Sequence, residues 1–412
     1  MKAGLGYLKP NAIDINTEKG DTNSGKKSEL PNLLFFLILL ALILAMAFFV
    51  YLKSNNLRIS DINIKKAFAG LFSLEAEEEA ESELLSEFKY ELKEQPVFNV
   101  YKGNIVECTT SYIRAMDSKG NEKWKIDVKL TNPLLLTSNT AILAADIGGT
   151  SIVIVSDKDK VYTKSFEGNI INAHINEQGY ISVVHEAKGS KSAVTVLDGK
   201  GRDIFTSFIA ERFAFSSQVL PSGDAVVINS IDTSGVSTDT KVEFFNILGE
   251  SISPMITLSD ALFPFFWGLY DNSVLAVNES SVICLDKEKG EKWAKEFENG
   301  KIISSSVSMD KLLTLALKVK SEEVFGKDRM EIIFLDSSGK TKSTYILDGD
   351  VKNLISYGNM AAVNTGRVAC FINDDGKLIG KYNAETTIDK IFFMSRKEAV
   401  IITKGKIAIV KI

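Results

Sequence analysis

The sequence is poor in the residues on which much enzyme and metal chemistry relies. Among its 412 residues are three cysteines and two histidines. Cys108, Cys284 and Cys370 stand far apart and form no CxxC pair, which argues against a disulfide framework and against a zinc or dithiol site. With His174 and His185 the only imidazoles, the range of acid–base and metal chemistry narrows sharply. No HExxH, phosphate-loop or Gly-x-Ser-x-Gly motif occurs. Charge of one sign is missing as well. The 48 basic residues are offset by 53 acidic ones, so no global positive field exists to hold nucleic acid.

What is present is the balance of a folded protein, with 45% hydrophobic and 25% charged residues. At roughly 150 residues per domain, the length suggests two or three domains. The strongest local signal is LLFFLILLALILAMAFFVYL at 33–52, 20 residues without a charge, flanked by Lys26, Lys27 and Lys53. At 1.5 Å per residue this run spans about 30 Å, the thickness of a bilayer core. A cleaved signal peptide is the rival, because Ala45, Met46 and Ala47 have the small-x-small form of a cleavage site. A 32-residue polar tail before the run and five apolar residues after that site favour an uncleaved anchor. Cys108 is the first cysteine downstream, which excludes a lipoprotein anchor. Five lysines before the run against four basic residues in 53–84 do not orient it.

A connector follows. Ile64, Phe68, Leu71 and Phe72 repeat at helical spacing, as in a short helix on the bilayer or against a globular domain. Seven glutamates then fall within 75–87, a pattern expected of a solvated helix face or spacer. The domain map is a cytoplasmic tail at 1–32, a transmembrane helix at 33–52, a connector with an acidic stalk at 53–87, and one β domain at 88–412.

Beyond residue 97 helical spacing disappears, and short runs of Val, Ile, Phe and Thr alternate with Gly, Asn, Asp and Ser. A β-run ending in Asp or Asn, a turn usually holding Gly, and a second β-run recur seven times. The anchors are Asp117, Asp157, Asp198, Asn246, Asp286, Asp336 and Asn373, with steps of 40, 41, 48, 40, 50 and 37 residues. Four β-runs fit each step, for example 132–136, 141–146, 151–157 and 161–166. That period and strand number predict an all-β propeller of four-stranded blades. Asp or Asn can bond its own backbone to start a tight turn, and Gly supplies positive φ. Three runs follow the last anchor without a fourth. Phe88, Tyr90 and Leu92 alternate like a strand that completes that blade, which favours eight blades over seven.

The segments MDSKGNEKW (116–124) and LDKEKGEKW (285–293) resemble the ALD-x-x-G-x-x-x-W repeat of quinoprotein-like (PQQ-like) propellers. The other five anchors keep the strand and turn but lose the Trp. Trp124 and Trp293 open outer strands and are expected to cover the neighbouring blade. WD40 repeats fit less well, since no Gly-His or Trp-Asp dipeptide occurs, and paired glycines of the Kelch kind appear once. Anchor plus repeat resemble membrane-anchored propeller proteins of unknown function from Gram-positive bacteria. The resemblance implies architecture rather than activity.

Other segments carry residues with chemical potential. LAADIGGTS (143–151) is similar to the first phosphate loop of sugar kinases, but neither a helix-rich α/β chain nor a second Gly-rich loop follows. A hairpin turn at Asp146 to Ser151 is the simpler reading. A quinone-dependent dehydrogenase would need a calcium site, a catalytic Asp and usually adjacent cysteines, whereas the three cysteines read as buried small hydrophobes. His174 and His185 lie on neighbouring strands of one blade, where solvated or locally bonded rings are expected rather than a metal site. Most distinctive is ALFPFFWGLYDN (261–272), expected on the first strand of its blade beside the central channel. Strand alternation puts Phe263, Phe265 and Trp267 on one side and Leu262, Phe266 and Gly268 on the other, with Pro264 marking an interruption. Phe263, Phe265, Trp267 and Tyr270 form the candidate interaction surface, with inter-blade core as the alternative reading.

The sequence therefore points to a single-pass membrane protein whose propeller lies outside the cytoplasm and binds or scaffolds a protein partner. No catalytic constellation, cofactor, metal or nucleic-acid site is expected. The alternatives are an envelope enzyme, quinone-dependent or polysaccharide-acting, and a sensor of a small molecule.

Overall fold

Runs of Val, Ile and Ala bounded by Asp, Asn and Gly form thirty-two strands among the described residues, paired into eight antiparallel sheets of four. The computed structural model describes residues 81–412 except 158–159, 309–311 and 322–327, together with Leu39 and Met46. The chain divides into two compact units, Met1–Ala76 and Glu77–Ile412, and all eight sheets belong to the second. The tail, most of the 33–52 run and the connector up to residue 80 lie outside the described residues. Leu39 and Met46, within that run, are helical. Among the described residues no helix is long and apolar enough to cross a membrane.

The sheets are propeller blades, eight in number. They are numbered here by their inner strands: Val97–Tyr101, Pro133–Thr137, Ile170–Ile175, Phe213–Val219, Phe265–Gly268, Gly300–Val307, Asn353–Tyr357 and Ile388–Phe393. Burial follows from stacking these sheets around an axis. Second strands such as Ile142–Asp146 and Met360–Asn364 are buried at every residue, because both of their faces meet a neighbouring blade. Outer strands such as Glu122–Asp127 alternate, with polar side chains turned to solvent. The apolar clusters lie between consecutive blades, as where Phe334 and Met330 of blade 6 meet Leu354 and Val363 of blade 7.

Closure is made by the N-terminal strand Glu83–Lys89, which pairs with Lys406–Lys411 and completes blade 8 outside the three C-terminal strands. That strand begins earlier than the Phe88, Tyr90, Leu92 alternation suggests. Phe88 lies within it, while Tyr90 and Leu92 follow it. The last part of the acidic run is thus strand rather than helix or spacer. Its glutamates face basic residues across the pair, Glu83 with Lys411 at 3.3 Å and Glu87 with Lys406 at 3.0 Å.

The recurrent anchors behave as their chemistry dictates. They join the third and fourth strands of blades 1 to 7. The side-chain oxygens of Asp117, Asp198, Asn246, Asp286, Asp336 and Asn373 accept hydrogen bonds from backbone N–H groups two to four residues on. LAADIGGTS is likewise a hairpin connection, between Ile142–Asp146 and Ser151–Asp157. Its Asp146 carboxylate is buried and accepts from the N–H groups of Thr131 (2.8 Å) and Asn132 (2.7 Å), tying down the entry to blade 2.

Candidate functional site at the channel mouth

Because each blade starts at the axis, all eight inner strands run toward the same face of the ring. Their last residues and the hairpins that follow form the mouth of the central channel on that face. Polar side chains on these strands staple neighbouring blades together. Asn99 donates to the Leu135 carbonyl (3.2 Å), Asn172 to Phe215 (3.0 Å) and Asn176 to Leu220 (3.1 Å). Gln218 uses both ends of its amide, donating to the Phe266 carbonyl (2.6 Å) and accepting from the Gly268 N–H (3.1 Å). Trp267 Nε1 donates to Ser305 Oγ (3.2 Å). These groups are spent on the ring itself.

Two cavities open in the mouth. One, of about 150 Å³, lies among blades 3 to 6 and is lined by His174, Glu177, Gln218, Trp267, Tyr270 and Ser308, with neighbouring backbone and apolar groups. The other, of about 250 Å³, lies among blades 1, 2, 7 and 8, and Tyr101, Tyr357, Phe392 and Phe393 contribute its aromatic wall. Glu177 lines both and so stands between them. It occupies the second position of the Asn176 turn, in which Asn176 Oδ1 accepts from the N–H groups of Gln178 (3.0 Å) and Tyr180 (2.9 Å).

Recess in the ring sets the electrostatics. Burial pushes the Glu177 carboxyl above its usual range, opposed by a hydrogen bond from the Asn139 N–H. Burial also pushes His174 down to about 4, so its ring is neutral at physiological pH. The Tyr270 phenol is raised, chiefly by burial and then by the nearby Glu177 carboxylate. Three residues that line the smaller cavity each carry a buried atom without a hydrogen-bond partner in the protein: His174 Nδ1, Glu177 Oε2 and Ser308 Oγ.

The aromatic run divides. Pro264 does interrupt the ladder, and the inner strand of blade 5 begins just after it, at Phe265. Within that strand the expected alternation holds, with Phe266 in the core at 6% exposure and Phe265 outside at 53%. Phe263 precedes the strand and departs from the expected side. It is 2% exposed and packs with Phe266 in the cluster between blades 4 and 5, so it belongs to the core and not to a surface. Trp267 and Tyr270 line the smaller cavity, whereas Phe265 opens the strand at the opposite end from the mouth.

The histidines also part company. His185 is locally bonded as expected, through Nδ1 to the Glu186 carbonyl (2.9 Å) and Nε2 to Thr195 Oγ1 (2.8 Å). His174 is half-buried, and its Nδ1 has no hydrogen-bond partner within the protein. The three cysteines are buried and form no disulfide, and burial pushes the Cys108 thiol up to about 12. Among the described residues no group of three or more His, Cys, Asp or Glu is placed to hold a metal. Sequence reasoning missed Glu177, Gln218 and Ser308. Their signal is phase, since each falls at or just past the end of an inner strand.

Comparison with known proteins agrees with the architecture. Sqt1 from Saccharomyces cerevisiae is similar at a TM-score of 0.57 and 10% identity, over 81% of this chain and 99% of that one. Sqt1 from Chaetomium thermophilum, solved bound to the N-terminus of the ribosomal protein L10, gives 0.54 and 11% over 81% and 100%. BamB from Moraxella catarrhalis, a PQQ-like propeller, gives 0.50 and 10% over 80% and 100%. At such identities the likeness is one of fold. No curated protein matches the chain in sequence. The sequence profile of a family of unknown function, DUF5711, matches residues 77–412.

Proposed function

The chain belongs to the DUF5711 family of unknown function, and from that premise we propose that it is a membrane-anchored binding or scaffolding module whose ring lies outside the cytoplasm. The observation that carries the binding reading is the mouth cavity. Aromatic side chains and residues carrying unpartnered polar atoms line it together, beside Gln218 and the Trp267 Nε1, which are committed to holding the blades together. The fold stays rigid while the mouth and its hairpins supply recognition. Neighbouring folds that hold protein segments, such as the Sqt1 solved with a ribosomal-protein N-terminus, make a protein partner a natural occupant. The uncharged 33–52 run supports the anchor, and its place ahead of the ring supports an extracytoplasmic location.

Two experiments test this reading. A photo-crosslinking amino acid at Tyr270 should capture a partner in intact cells, and Trp267→Ala should abolish capture while the ring stays folded. Undiminished capture by Trp267→Ala would remove the mouth as the binding surface. Protease added to intact protoplasts should digest the ring and spare the N-terminal tail. Protection of the ring would reverse the topology.

A further inference from the structure

Buried polar atoms in folded proteins are nearly always satisfied, so unpartnered ones that share a cavity call for a common explanation. Nine such side-chain atoms occur among the described residues, and three of them belong to residues that line the cavity of about 150 Å³ at the mouth. Their chemistry agrees. Glu177 Oε2 is a carboxylate acceptor, Ser308 Oγ can accept, and His174 Nδ1 accepts in the tautomer that carries its proton on Nε2. A primary ammonium group has the matching inventory of three donors and no acceptor. Trp267 and Tyr270 on the same wall can add attraction between a cation and an aromatic face.

We propose that this cavity is a subsite for a primary ammonium group, presented as a lysine side chain or chain terminus by the protein partner of the preceding section, on whose binding reading this rests. Two further observations bear on charge and one on size. The influences on Glu177 are burial and a backbone N–H, with no cation among them. A cation entering the cavity would therefore meet a carboxylate that has no compensating charge. His174, held neutral by burial, does not repel it at physiological pH. The volume suits the end of one side chain rather than a cofactor-sized ligand.

The test uses the full chain in detergent micelles, titrated calorimetrically with a capped Gly-Gly-Lys-Gly-Gly peptide, its norleucine counterpart, and n-butylammonium. The lysine peptide should bind at least about tenfold more tightly than the norleucine peptide, and Glu177→Gln should erase that preference. Ser308→Ala, a smaller change, should weaken lysine-peptide binding severalfold and serves if Glu177→Gln fails to fold. Butylammonium binding as tightly as the peptide would keep the ammonium site but assign it to a free amine. Equal binding of lysine and norleucine peptides, no binding of either, or an unchanged preference in a folded Glu177→Gln would overturn the proposal. Crosslinking at Tyr270 separates this from the wider reading. Partner capture that survives Glu177→Gln but not Trp267→Ala leaves a binding mouth without an ammonium subsite.

Discussion

The indole of Trp293, on the outer strand of blade 5, lies flat over Gly339 in the third-to-fourth-strand turn of blade 6. A Cβ at Gly339 would sit 2.7 Å from Cε3 of that ring, and the indole Nε1 donates to the Ser337 carbonyl in the same turn at 3.1 Å. The same relation recurs at the ring's seam. Phe88, on the closing strand, covers Gly120 of blade 1, whose Cβ would fall 2.7 Å from the phenyl ring. The outer strand of one blade thus caps the turn of the next, and closure repeats the contact made within the ring.

Gly339→Ala should therefore cost more than its backbone alone requires. Gly339 has φ +79°, and Gly103 at +70° has open space around its Cα, so Gly103→Ala reports the backbone cost separately. About 1 kcal/mol is expected at Gly103 and about 2–3 kcal/mol at Gly339, where the indole must also move. Denaturant melts of both variants check this. Equal losses would show that the ring contact carries no energy.

Deleting Glu83–Lys89 should expose the Lys406–Lys411 edge and remove the Phe88 contact together. An unpaired strand edge recruits other chains, so the deleted protein should self-associate and lose its cooperative melt. Size-exclusion chromatography gives the answer. A monomer with an unchanged melt would mean that the ring closes without this strand.

The blade number and the turn chemistry were legible in the sequence because they rest on local rules repeated seven times. An Asp or Asn that bonds its own backbone announces itself wherever it stands. The closing strand was harder to read, since Glu83 and Glu87 face lysines more than 300 residues away and locally look like part of an acidic spacer. Trp267 and Tyr270 drew notice through composition. Phe263 misled for the same reason, because alternation fails where Pro264 breaks the ladder. His174 and Glu177 of blade 3 share a cavity with Ser308 of blade 6 only because the blades converge at the axis, and no local pattern in the chain encodes that.

The aromatic run offers a direct check on its division. Phe263→Ala and Phe266→Ala should each cost about 3–5 kcal/mol, as buried aromatics do. Phe265→Ala, at an exposed position, should stay within about 0.5 kcal/mol. Thermal melts of the three variants decide it. A large loss for Phe265→Ala would return the whole run to the core.

Blade 1 holds a buried carboxylate. Glu107 is fully buried, with Arg114 Nε at 2.6 Å and the Tyr112 hydroxyl donating at 3.1 Å. Removing the guanidinium alone leaves that charge without its main partner. Arg114→Leu should cost about 3–5 kcal/mol, while Glu107→Leu with Arg114→Leu should recover most of the loss. Losses that simply add in the double variant would show that the two side chains do not act as a pair.

His174 should make the ring acid-sensitive in a defined window. Its folded pKa, pushed down to about 4, lies below the ordinary value near 6.5 expected in the unfolded chain. Above that ordinary value both states hold a neutral ring, and the full stability is present. Between about 6.5 and 4 the unfolded chain binds a proton that the folded chain refuses, so stability falls as pH falls. The fall amounts to at most about 3 kcal/mol, an upper bound because part of the imidazole faces the cavity. Glu177, raised by burial, contributes the opposite slope, since its folded form binds the proton more readily than the unfolded one. The measurement is therefore a difference: unfolding free energy against pH for the natural chain and for His174→Gln, which cannot titrate. The variant should lose less stability than the natural chain across this window. Parallel curves would mean that the cavity solvates His174 well enough to charge it, and that its Nδ1 is not held as a neutral acceptor.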